Sequence, residues 1–153
     1  MTAARVIETF RARGATLAVA ESLTGGLLAA RLVDVSGASA VLRGGVVAYA
    51  TDLKVGLLGV DADLLDRRGP VDPEVATSMA AGVRVRLAAD VGAATTGVAG
   101  PGAQGGCPAG TFFVAVSLAG GDEVEEHHVD GDRPEVRAAA VEAALALLLR
   151  VTG

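Results

Sequence analysis

The sequence predicts an α/β fold from three features. Apolar runs of strand length recur at 16–20, 44–50 and 91–96. The first two run directly into residues with helical spacing. Later, 110–119 and 123–129 alternate as two strands around Gly120-Gly121-Asp122, which adds an antiparallel hairpin to an otherwise βα chain.

Composition narrows the class. At 153 residues the chain fits one domain, 1–153, long enough to bury a substantial core. Apolar residues make up 51% but aromatics only 3%, so the core must be built from Ala, Val and Leu. Scarce aromatic surface and a net charge of −5 argue against a nucleic-acid partner. One cysteine, Cys107, leaves no disulfide framework and no cysteine-rich zinc site. The N-terminus carries Arg5, Glu8, Arg11 and Arg13 at helical spacing in place of an apolar signal core, and the longest apolar stretch, 143–149, is too short to cross a bilayer. A soluble cytoplasmic protein without a membrane partner, cofactor or metal is expected.

Residues 3–13 place Val6, Ile7 and Phe10 on one face of a first helix closed by Gly14. The strand at 16–20 then reaches Glu21-Ser22-Leu23-Thr24-Gly25-Gly26, with Thr24 positioned to cap a helix from Gly25 to about Val35. Strand-to-helix corners gather ligands in α/β sheets, because helix N-termini offer unpaired N–H groups. Ser22 is therefore a candidate nucleophile; a turn in which Ser22 and Thr24 merely cap a helix fits the same letters. After a loop at 36–39, a buried strand at 44–50 delivers Tyr49 to its carboxyl end, and Thr51 caps a short helix ending at Gly59.

Lys54 falls in the first turn of that helix. It is the only lysine among thirteen Lys and Arg residues, and Tyr49 is the only tyrosine. An ammonium can give up its proton where a guanidinium cannot. Burial and the helix dipole would both lower the pKa of Lys54, as a lysine base requires. A single surviving surface lysine is the alternative.

Residues 61–69 read as charged and exposed. Asp72-Pro73 opens a helix carrying Val75, Met79, Val83 and Leu87 inward. The strand at 91–96 flows into Thr96-Gly-Val-Ala-Gly-Pro-Gly102, a glycine loop that can bring N–H groups onto a phosphate but has neither P-loop nor Rossmann spacing. His127 and His128, adjacent on the hairpin, face opposite ways and read as surface or edge residues. Asp132-Arg-Pro-Glu135 forms a capping box for a last helix whose buried stripe is Val136, Ala140, Ala143, Leu147 and Val151.

Four ordered motifs, Ala20-Glu-Ser-Leu-Thr-Gly-Gly26, Gly45-Val-Val-Ala-Tyr-Ala-Thr-Asp-Leu-Lys54, Thr95-Thr-Gly-Val-Ala-Gly-Pro-Gly102 and Gly131-Asp-Arg133, resemble the CinA C-terminal domain family of nicotinamide-nucleotide amidases over nearly the whole chain. The resemblance implies a three-layer α/β/α sandwich with a mixed, mostly parallel sheet. It implies hydrolysis of the carboxamide of nicotinamide mononucleotide to nicotinate mononucleotide and ammonia, a salvage step in pyridine-nucleotide recycling, and a homo-oligomer. The family's serine falls on Ser22, its tyrosine on Tyr49, its lysine on Lys54 and its glycine-loop threonine on Thr96. Glu21, Thr24, Gly25 and Gly26 in the first motif, with Thr96, Gly97, Ala99 and Gly100 in the third, are the expected substrate-binding positions. Leu23 stands where the family often has cysteine, and Cys107-Pro108 where it often has Lys-Pro, which removes a candidate phosphate cation. Longer members carry a further N-terminal domain of different activity, and that activity is expected to be absent from a chain that starts directly at the amidase-like domain.

An amide is a poor electrophile, so Ser22 needs a base, for which Lys54 is the candidate, and fixed donors for the oxyanion. Tyr49 is the candidate orienter or proton relay. Backbone N–H groups at 24–26 or in the loop from Gly97 are alternative sites for the oxyanion and the phosphate. A non-catalytic nucleotide-binding or regulatory domain is the rival reading, and an amidase for another nucleotide or small amide a further one.

Overall fold

Every residue of β1 (Leu17–Glu21) is buried, because the strand is paired on both edges. β2 (Leu42–Val47) and β3 (Val91–Gly97) flank it in parallel. β4 (Thr111–Leu118) runs antiparallel to β3, and β5 (Gly121–His128) antiparallel to β4. The computed structural model describes residues 2–153. Its sheet order is β2-β1-β3-β4-β5, and only β4 opposes the direction of the other strands.

Alternation along the strands assigns each face its helices. Val19, Phe112, Val114 and Val116 pack with α1 (Thr2–Arg13), α2 (Leu27–Val33) and α6 (Arg133–Thr152) through Val6, Phe10, Leu28, Leu145 and Leu148. Ala18, Ala20, Ala94 and Ala115 face the other way, against α3 (Thr51–Leu58), α4 (Ala62–Arg68) and α5 (Pro73–Arg86) through Leu58, Leu65, Met79 and Val83. This alanine face brings α5 close to the sheet. A Cβ on Gly92 would lie 2.1 Å from the carbonyl oxygen of Ala80, so the crossing tolerates only glycine there. The result is the expected three-layer sandwich with a mixed sheet.

The predicted caps at Asp72 and Asp132 form, the latter as a complete capping box. Other expectations need correction. Thr24 does not cap α2: the helix begins at Leu27, and its N-cap is Gly26 in the left-handed region at φ 105°, with no side-chain cap. Thr51 likewise lies inside α3, whose N-cap is Ala50. β2 is an edge strand with alternating half-buried and exposed residues, and it ends at Val47, before Tyr49. Residues 61–69 contain α4, capped by Asp61 and burying Leu64 and Leu65. In α6 the buried stripe runs through Ala144, Leu145 and Leu148, leaving Ala143 and Val151 half-buried. No helix among the described residues is long and apolar enough to cross a membrane.

Candidate active site

β1 and β2 end side by side, so the chain after each emerges at the same sheet edge. After β1 comes Ser22; after β2 the chain enters α3 and carries Lys54 back beneath the edge. Lys54 is only 1% exposed. Its Nζ donates to Ser22 Oγ at 3.1 Å and to the carbonyl of Ala48 at 2.8 Å. Among the described residues no carboxylate forms an ion pair with it. An ammonium removed from water without a counter-charge favours its neutral form, and desolvation lowers the Lys54 pKa from 10.5 to about 8. A buried hydroxyl therefore stands against an amine that can lose its proton near neutral pH.

Ser22 and Lys54 share a cleft with Tyr49, Thr96, Gly97, Ala99 and Gly100. Thr96 is buried and donates its hydroxyl to the carbonyl of Pro70 at 2.6 Å. Tyr49 is 60% exposed, and its hydroxyl accepts from Arg133 at 3.0 Å, so it belongs to the rim of the cleft. Cys107 is half-buried on the loop that follows, with its Sγ 3.8 Å from the carbonyl of Val71.

The remaining candidates lie behind the cleft. Glu21, 1% exposed, accepts from the amides of Leu28 at 2.8 Å and Ala29 at 3.0 Å, so its carboxylate closes the start of α2. Thr24 Oγ1 bonds Thr95 Oγ1 at 2.8 Å, outside the cleft lining. Gly25 and Gly26, at φ 57° and 105°, shape the turn but do not line the cleft. Leu27 N–H donates to the carbonyl of Thr24 and Ala30 N–H to that of Gly26. The amides of Leu27 to Ala30 thus have internal partners, whereas the N–H groups of Thr24 and Gly26, the donors expected from the sequence, are not among those engaged.

Two arginines escaped sequence reasoning as site residues. Arg133 donates to the carbonyl of Gly100 at 2.6 Å and to Tyr49, and it lines the cleft. The signal for it was the Gly131-Asp-Arg133 motif, since the capping box fixes this residue at the first turn of α6. Arg137 grips the turn after β1, with Nε donating to the carbonyl of Leu23 at 2.9 Å and Nη2 to that of Thr24 at 3.2 Å. No local pattern signals a contact across so much chain. His127 stacks on Phe112 with ring centroids 5.1 Å apart, while His128 meets Thr111 on the neighbouring strand. No cluster of metal-binding side chains occurs among the described residues.

The sequence matches the CinA C-terminal domain over residues 1–152. It is 53% identical over 139 residues to a CinA-like protein of Frankia casuarinae, covering 91% of this chain and 32% of that protein. It is 42% identical to a putative competence-damage inducible protein of Bacillus subtilis, covering 91% of this chain and 33% of the relative. The chain spans about a third of the length of these curated relatives. Among solved structures, a competence-damaged protein (CinA) superfamily protein from Escherichia coli superposes with a TM-score of 0.95 at 34% identity, covering 98% of this chain and 88% of that one. The competence/damage inducible protein CihA from Agrobacterium tumefaciens also gives a TM-score of 0.95, at 36% identity, covering 99% and 94% of the two chains. In sequence along its length and in fold, the chain belongs to the CinA C-terminal domain family.

Proposed function

We propose that this domain hydrolyses the carboxamide of nicotinamide mononucleotide, releasing ammonia and nicotinate mononucleotide, with Ser22 as nucleophile and Lys54 as general base. The observation that carries the reading is the buried contact of 3.1 Å between Lys54 Nζ and Ser22 Oγ, with no carboxylate among the described residues to hold the lysine charged. Neutral Lys54 takes the Ser22 proton as Oγ bonds to the carboxamide carbon, then returns it to the departing nitrogen, which leaves as ammonia. A water activated by the same amine cleaves the acyl ester and restores Ser22. The substrate's pyridinium charge draws electrons from the carboxamide and adds to the depression of the lysine pKa.

The anionic end of the nucleotide is assigned to Arg133, because the α2 N-terminus is already filled by Glu21. Tyr49, held by Arg133 at the rim, orients the substrate there. Purified protein should release ammonia from nicotinamide mononucleotide, and Ser22→Ala should lose nearly all of that activity while keeping the fold. Turnover by Ser22→Ala within a few-fold of the parent would assign the chemistry to a directly activated water. Nucleotide binding without ammonia release by the parent would make the domain a non-catalytic nucleotide-binding or regulatory module.

A further inference from the structure

The turn that carries Ser22 is fixed from two sides. On the sheet side, Ser22 N–H donates to the carbonyl of Thr95 at 3.1 Å. On the helix side, the Nε and Nη2 edge of Arg137 spans the consecutive carbonyls of Leu23 and Thr24. Two carbonyl dipoles converging on one point repel each other, and a planar cation with two parallel donors resolves that repulsion in a way a single-point ammonium cannot. Arg137 is half-buried and has no carboxylate partner among the described residues, so its charge is directed at these two peptide groups. Gly25, at φ 57°, passes so close that a Cβ would lie 3.2 Å from Arg137 Nη2. One helical turn earlier, Arg133 holds the carbonyl of Gly100, which also lines the cleft.

We propose that Arg137 is a positioning residue: its fork locks the Ser22–Gly25 turn so that Ser22 Oγ stays on Lys54 Nζ, and α6 thereby sets the distance between the nucleophile and the glycine loop. This rests on the reading of Ser22 as the nucleophile but not on the identity of the substrate. Arg137 lies outside the cleft lining, so its loss should lower the rate of bond formation at Ser22 and leave nucleotide affinity nearly unchanged.

Two readouts test this in parallel: covalent labelling of Ser22 by phenylmethanesulfonyl fluoride, followed by mass spectrometry, and steady-state ammonia release from nicotinamide mononucleotide. Arg137→Ala should slow labelling and kcat alike, on the order of 10- to 100-fold, the size expected for a nucleophile displaced by about an ångström. KM should change little, and added methylguanidinium should restore part of both rates. Arg137→Lys keeps the stem and charge and decides the question if the alanine variant loses its fold; it too should label and turn over more slowly than the parent, though by less. Parental labelling and kcat in either folded variant would overturn the proposal. A parent that labels at Ser22 but releases no ammonia removes the substrate assignment alone, and the labelling rates of the variants still decide the role of Arg137.

Discussion

Two glycine-bearing turns leave the neighbouring strands β1 and β3 at the same end of the sheet, and they are held very differently. After β1, the amides of Leu27, Leu28, Ala29 and Ala30 are engaged by Thr24, Glu21 and Gly26, and the carbonyls of Leu23 and Thr24 by Arg137. After β3, residues 101–106 are exposed, and Gly102, Gly105 and Gly106 have open space where a Cβ would stand. At the first corner the start of α2 is satisfied from within the protein. A carboxylate on the last residue of the strand can occupy the helix N-terminus itself, so that the corner bearing Ser22 is a rigid mount while the turn after β3 stays exposed.

The largest expected effect falls on the amine that the closed turn serves. Lys54→Arg should lower kcat by about 100- to 10,000-fold at saturating substrate, the loss typical of a missing general base. Parental turnover would break the contrast, because Lys54 would then be only a cation. In the parent, kcat/KM should rise with pH through an ionisation near 8, as Lys54 becomes neutral. Stability follows the same group. Between about 8 and 10.5 the unfolded chain binds more protons than the folded one, so Lys54 makes stability increase with pH across that window and penalises the fold below it. Lys54→Met should thus be inactive yet more stable at neutral pH, by roughly 1 to 3 kcal/mol, with the advantage shrinking towards pH 10.5. Urea denaturation at the two ends of the window measures it.

Glu21→Gln probes the closure directly. Its new NH2 must face an amide donor of α2 where a carboxylate oxygen now accepts, so about 2 to 4 kcal/mol of stability should be lost. A loss under about 0.5 kcal/mol would mean that the helix start is satisfied without Glu21.

Much of this arrangement was legible in the sequence, for reasons that differ from residue to residue. Caps at Asp72 and Asp132 are local chemistry and formed as read. Ser22 and Lys54 were legible because both follow strand-like runs, and a shared sheet edge brings them together. β2 read as buried because Gly44 and Gly45 have no side chains to reveal a period of two, so its edge position was invisible. The α6 stripe was misphased because apolar residues surround most of that helix and leave little periodicity to follow. Glu21 and Arg137 were missed as parts of one assembly because the partner of Arg137 lies 114 residues away and a buried carboxylate looks the same in sequence as a ligand-binding one.

The finest discrimination between the two turns comes from adding a single methyl group to each. In Gly25→Ala the new Cβ enters a turn at φ 57° and approaches Arg137 Nη2 to 3.2 Å. The left-handed backbone alone costs roughly 1 to 2 kcal/mol for an L-residue, and the crowded guanidinium must either retreat from Thr24 or push the turn. Gly102→Ala meets nothing within 4 Å and requires no positive φ. There the restricted unfolded chain should leave stability unchanged or raised by about 0.4 to 1 kcal/mol. Denaturation midpoints of the two variants should therefore move in opposite directions, or the second not at all. Their kinetics should separate as well, with kcat falling for Gly25→Ala and any change for Gly102→Ala appearing in KM, since Gly102 lines the cleft and Gly25 does not. Equal losses of stability in the two variants would mean that the open turn is as tightly held as the closed one.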